Sequence, residues 1–255
     1  MSIFAFLEYI SLEKKCSEHT MKAYQANLIA FESYLKSEQS QRGIETASYG
    51  EIRAWIVTLI ESGNSSRTVN RKVSALRSYY KFQLSIKKIG VSPLKEHRAL
   101  KIQTKVALPF SQEEMKNLFE GNIFPATYIG SMTRTLIQLL YFTGIRRSEL
   151  IDLKVKDIDF HKGLLRVLGK RNKERLVPLL PEIQDHLKML LKSQEDLKIV
   201  READFFFVNE KGKNLSISFV YQCVKKYFSK VSTKTKRSPH VLRHSFATHL
   251  LDQGA

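Results

Sequence analysis

Along residues 1–98 the apolar positions recur at helical spacing, and four stripes stand out. Ile3, Phe6, Leu7 and Ile10 make the first. Tyr24, Leu28, Phe31 and Leu35 make the second, after a turn-like Ser17-Glu18-His19-Thr20. Ile52, Trp55, Ile56, Leu59 and Ile60 make the third, closed by Gly63-Asn64. The fourth starts near Ser66 and carries Val69, Val73, Leu76, Tyr80 and Leu84. Side chains three and four apart share one face of an α-helix, so the region predicts four amphipathic helices in a bundle. Gly90-Val91-Ser92-Pro93 ends this run, and residues 95–107 follow as a basic connector with few acids and no compelling apolar stripe.

The pattern restarts at Ser111-Gln112-Glu113-Glu114, which reads as a capping box opening a helix. A further helix is expected over roughly 131–142, ending at Thr143-Gly144, and another over 146–153. Then the period changes from helical to alternating. Residues 157–160, 164–168 and 175–179, separated by turns at 161–163 and 169–173, predict a small antiparallel meander. Helices return near 181–193 and 216–231, with the apolar Phe205-Phe206-Phe207-Val208 between them. Near the end, Ser238-Pro239 reads as an N-cap followed by proline at the first helical position. The expectation is a mainly α chain with three parts: a helical domain over 1–94, the basic linker 95–107, and a domain over 108–255 of helices with one three-stranded antiparallel sheet.

Charge changes the picture from a generic helical protein to one with a polyanionic partner. The 255 residues carry a formal net charge of +17, and the excess divides almost evenly between 1–105 and 106–255. Two basic globular halves suit a long polyanion better than a polybasic tail would. No apolar run approaches transmembrane length, and Ile3-Phe4-Ala5-Phe6-Leu7 is broken by Glu8 without a basic leader, so neither membrane nor secretion is expected. Cys16 and Cys223 are far apart, which fits ordinary thiols in a reduced cytoplasm. The fourth helix sharpens the partner. Arg67, Asn70, Arg71, Ser74, Ser78 and Lys81 fall within a stripe about 100° wide beside its apolar face. A solvated face would look the same. The functional reading lays this helix in a DNA major groove, with Arg67, Asn70, Arg71, Ser74 and Lys81 as the contacts.

Candidate chemistry sits in the last helix, where His240 and Arg243 lie three apart near its positive end. A proton-exchanging imidazole beside a guanidinium fork suits a phosphate-like reaction centre. Two other islands precede it in order: Thr143-Gly144-Ile145-Arg146-Arg147-Ser148-Glu149-Leu150 and the turn Gly169-Lys170-Arg171-Asn172-Lys173-Glu174-Arg175. The ordered set of an arginine, a hairpin lysine and His-x-x-Arg resembles the tyrosine recombinases, the lambda-integrase superfamily. Within it the chain looks most like the simple Xer-type enzymes that resolve chromosome dimers. The resemblance runs over essentially the whole chain.

That resemblance implies roles. Arg146 and Arg243 would clamp the non-bridging oxygens of a scissile phosphate. Lys170 would protonate the departing 5′-oxygen, and His240 would hydrogen-bond the phosphate and assist proton transfer. Arg147 competes with Arg146, and Lys173 with Lys170; the alignment of the strings favours Arg146 and Lys170. Glu149 could buttress Arg146 or be a plain surface charge, and His244 and His249 read as packing residues. The family needs no metal or nucleotide cofactor. It cleaves and rejoins duplex DNA through a 3′-phosphotyrosyl intermediate, as a homo- or hetero-tetramer on paired sites, the two domains closing on the duplex as a C-shaped clamp. The family's nucleophilic tyrosine has no counterpart among these residues, all ten tyrosines lying upstream of the last helix. The C-terminal end of the second domain is therefore expected to be missing, and the chain as given is expected not to cleave DNA alone. Two alternatives stay open beside the Xer-type reading: an integrase of a mobile element, and a truncated, catalytically inactive DNA-binding protein.

Overall fold

Most helices begin on a serine or threonine side chain that accepts a hydrogen bond from a backbone N–H of the first turn, which is how the chain marks its own element boundaries. The computed structural model describes residues 3–38, 43–102, 108–169 and 173–254. Within them the fold is mainly helical with one small antiparallel sheet. Contacts divide the chain into two compact units, Met1–Lys105 and Val106–Ala255.

The first unit holds α1 (Ile3–Leu12), α2 (Glu18–Ser37), α3 (Tyr49–Glu61) and α4 (Ser66–Ser85). Their apolar stripes meet in one core around Phe6, Phe31, Trp55, Leu76 and Tyr80. The pattern is followed closely, with three local departures. Residues 18–20, expected as a turn, form the first turn of α2, because Ser17 caps the helix from just outside it. Ile60 is exposed rather than buried. The buried face of α4 is broader than the stripe, taking in Tyr79 and Phe82, and Tyr80 Oη donates to Ile44 O at 2.8 Å. The start of the connector belongs to this unit too, with Leu100 packed against the core in which Leu94, just before the connector, is buried.

The second unit runs α5 (Gln112–Glu120), α6 (Tyr128–Thr143), α7 (Arg147–Ile151), β1 (Ile158–Asp159), β2 (Leu164–Leu168), β3 (Glu174–Pro178), α8 (Pro181–Asp196), α9 (Ile217–Phe228) and α10 (Pro239–Asp252). Its core is separate and is centred on α6, whose Leu136, Ile137, Leu139 and Leu140 are fully or almost fully buried. The expected capping box is present: Ser111 N donates to Glu114 at 2.7 Å, and Glu114 N to Ser111 Oγ at 3.1 Å. The sheet order is β1-β2-β3, all antiparallel, with Leu165 opposite Val177 and Leu168 opposite Glu174. Burial alternates along β2, with Leu165 and Val167 turned into the core. The segment 205–208 supplies three buried residues, Phe206, Phe207 and Val208.

Candidate active site

Two short stretches, 97 residues apart in sequence at Arg146 and Arg243, build the site. The first is the break between α6 and α7. Gly144 ends α6 with φ +58°, its N–H bonded to Leu140 O at 3.1 Å. That left-handed turn suits glycine, and a Cβ there would overlap the Phe246 ring of α10. The close approach brings α10 against the start of α7. Buried Ile145 anchors the turn and leaves Arg146 as the residue entering α7.

The second stretch is the first turn of α10. Ser238 Oγ accepts from Val241 N at 3.4 Å, and Val241 and Leu242 are buried. Helical spacing then puts His240 and Arg243 on the free side. Ser245 fastens the next turn from inside, accepting from Phe110 N at 2.7 Å and donating to Val241 O at 2.9 Å. Arg243 donates through Nη1 to Gly144 O, so the glycine turn and the His-x-x-Arg helix are joined directly.

Arg146, His240 and Arg243 line one cleft of about 390 Å³, together with Arg147, Tyr221 and Ser238. Arg146 is fixed by Glu149, whose carboxylate accepts from Arg146 N at 2.7 Å and from Arg146 Nη1 at 2.8 Å. Glu149 is no plain surface charge: its side chain is only 5% exposed, and it buttresses Arg146. Burial alone would raise the Glu149 pKa. The hydrogen bond from Arg175, those from Arg146 and the Arg175 charge outweigh it and hold the carboxyl down to about 2. Arg243 is shifted below the usual guanidinium value, first by burial and then by the like charge of Arg146. Two arginines facing one hollow, with a deficit of anions, form a site that an oxyanion would stabilise.

Lys170 lies outside the described residues, but the neck of its hairpin is visible, closed by Gly169 N donating to Lys173 O at 2.7 Å. Of the histidines read as packing residues, His249 is buried with Nδ1 2.8 Å from Tyr141 Oη, and His244 is exposed. The DNA-contact set on α4 divides. Arg67, Arg71, Ser74 and Lys81 are exposed. Asn70 instead spends both amide groups on the connector, donating to Leu100 O and accepting from Leu100 N, each at 2.9 Å. Sequence reasoning missed Tyr221, which projects from α9 into the cleft, and Arg175. Neither has a local signature. Among the described residues, no group of three or more His, Cys, Asp or Glu is placed to hold a metal ion, and no helix is long and apolar enough to cross a membrane.

The model of the phage integrase family matches residues 109–255, and that of the phage integrase N-terminal SAM-like domain matches 3–87. A tyrosine recombinase XerC of Oceanobacillus iheyensis is 36% identical over 99% of this chain and 83% of its own length. A XerH site-specific recombinase bound to palindromic difH substrate superposes with a TM-score of 0.76 at 22% identity, covering 99% of this chain and 74% of that one. The Tn1549 transposon integrase in complex with transposon right end DNA has a TM-score of 0.77 at 19% identity, over 100% of this chain and 88% of that one. With family models over both units and a XerC relative more than one-third identical to it over 99% of its residues, this chain belongs to the phage integrase family, as a Xer-type tyrosine recombinase.

Proposed function

We propose that this protein carries out site-specific recombination of duplex DNA, cleaving and rejoining strands by transesterification through a 3′-phosphotyrosyl intermediate. The observation that carries the reading is the cleft that gathers Arg146, His240 and Arg243 over a buried carboxylate. In-line attack on a phosphodiester spreads negative charge over the non-bridging oxygens. Arg146 and Arg243 stabilise that charge from fixed positions and need no reorganisation as it develops. His240 hydrogen-bonds the phosphate and relays a proton. Lys170, from the hairpin, protonates the 5′-oxygen, which leaves poorly as an alkoxide. The attacking hydroxyl is assigned to none of the ten tyrosines in the sequence, so these 255 residues by themselves are expected to bind DNA without cleaving it, and excision is sought from the product of the gene.

The role we favour is Xer-like, chromosome dimer resolution or a closely similar reaction in the cytoplasm. The XerC relative shares over a third of its residues with this chain, whereas the transposon integrase shares the fold. The domains we assign are 1–94 for binding the core DNA site, the linker 95–107, and 108–255 for catalysis. Arg67, Arg71, Ser74 and Lys81 of α4 contact the duplex, while Asn70 shapes that surface by pinning the connector. Recombination joins two sites, so we further propose four protomers, identical or paired with a paralogue, on two sites. The test has two stages. Genomic fragments retained by the protein are sequenced to find its site. Two copies of that site are then placed on a plasmid with the protein expressed from its own gene. Excision of the intervening segment, lost in Arg146→Ala and Arg243→Ala, is expected. Fragments retained without sequence preference, or no excision from a bound site, would overturn the reading.

A further inference from the structure

The hairpin and the phosphate cleft meet at Arg175, a residue so far without a role. From β3, Arg175 donates Nη1 to Glu149 Oε1 at 3.0 Å and Nη2 to Glu149 Oε2 at 2.7 Å. The same carboxylate receives the backbone and side chain of Arg146. Arg175 also stands beside the neck of the hairpin: it lies on β3, two residues beyond Lys173, whose O accepts from Gly169 N at 2.7 Å. Gly169 immediately precedes Lys170. One residue therefore links the carboxylate that holds Arg146 to the strand that closes the hairpin neck.

The fork geometry decides what this contact can do. A bidentate pair occupies both carboxylate oxygens in one plane and fixes the side-chain torsions of Glu149. The Arg146 side chain gives the same carboxylate a single bond and is 55% exposed, the more solvated of the two partners. The hairpin has an ordinary ion pair for comparison. Arg166, on β2, bonds Asp157 at 2.8 Å and lies 3.6 Å from Glu174.

We propose that Arg175 is a positioning residue for strand transfer: it locks Glu149 so that Arg146 faces the phosphate, and by the same contact moors the neck of the lysine-bearing hairpin to the cleft. This rests on the phosphate-cleft reading above. Because both Nη atoms are committed to Glu149, Arg175 acts through it. Arg175→Lys keeps the charge and loses the fork, Arg175→Ala loses both, and Arg166→Ala removes a hairpin ion pair outside the cleft.

The experiment titrates inorganic phosphate into each protein and reads the Nε–Hε NMR signals of Arg146 and Arg243. The carboxyl carbon of Glu149 is followed against pH in parallel. Phosphate binding is expected to weaken about tenfold in both Arg175 variants, as misplacement of a clamping group predicts, and to be unchanged in Arg166→Ala. The Glu149 titration should move upward in both Arg175 variants and stay in place in Arg166→Ala. If Arg175→Ala fails to fold, the lysine variant decides. Wild-type phosphate affinity in Arg175→Lys, or an equal loss in Arg166→Ala, overturns the proposal. A wild-type protein whose Arg146 and Arg243 signals ignore phosphate would instead sink the cleft reading, and this proposal with it.

Discussion

Glu149 accepts four hydrogen bonds from two arginines while almost out of contact with water, and its carboxyl stays ionised to about pH 2. A carboxylate whose folded pKa lies below its unfolded value stabilises the fold above the unfolded value, near 4.5. That contribution fades as pH falls from there through about 2. Glu149→Gln should therefore unfold more easily at pH 7, by about 1–3 kcal/mol, the two guanidinium groups being partly solvated. Its deficit against the wild type should shrink as pH drops below 4.5. Denaturant titrations across pH would show it, and a deficit independent of pH would mean that shape and not charge is what Glu149 supplies. Gly144 is the other single residue on which the site turns. Gly144→Ala adds a left-handed strain of about 1–2 kcal/mol and a clash with Phe246, in a core where overpacking costs about 1–3 kcal/mol more. We expect a clear drop in melting temperature together with weaker phosphate binding, since Gly144 O also holds Arg243. An alanine variant as stable and as competent as the wild type would show that α10 can retreat without loss.

At the scale of elements, α4 makes two different offers to its surroundings. Arg67 and Arg71 are exposed, whereas Asn70 between them is engaged with Leu100. If the exposed pair neutralises DNA phosphates, each alanine substitution should lower the salt slope of binding by about 1. Asn70→Ala should leave the slope alone and cost about 1–2 kcal/mol of stability, because the Leu100 backbone loses two partners. Slopes unchanged in both arginine variants would remove α4 from the interface. This division also shows what a sequence can convey. Caps such as Ser111 with Glu114, and Ser238 before Pro239, were legible because both partners lie within one turn. The strings around Arg146 and His240 were legible as motifs. Their meeting was not, since it depends on Gly144 fitting under Phe246, about a hundred residues away. Asn70 shared a polar stripe with true surface residues, and only the folded connector shows where its amide goes. Ile60 carried the right spacing for a core, yet the buried face of α3 is filled by Ile52, Trp55 and Ile56. Arg175 stands in the hairpin string with no partner nearby in sequence, because Glu149 belongs to another element.

For the whole molecule, the distribution of charge matters more than its total. The net +17 is shared almost equally by two units, each with its own apolar core. Binding of a basic protein to duplex DNA releases condensed counterions, roughly 0.9 per phosphate neutralised, and the releases of independent contacts add in the logarithm. Each unit produced alone, 1–105 or 106–255, should thus bind DNA weakly with a shallow salt slope. The joined chain should show a slope near the sum of the two. Its affinity should exceed either half by far, because once one unit is bound the connector keeps the other at a high effective concentration. Fluorescence anisotropy over a salt series on one duplex measures all three slopes. If either half alone reproduces the slope of the whole chain, the other half's positive charge faces solvent, and duplex DNA is held by one unit only. If the slopes add, both units spend their charge on the same duplex, which is what the proposed strand-transfer cleft in one unit and the proposed DNA-contacting helix in the other require of a shared substrate.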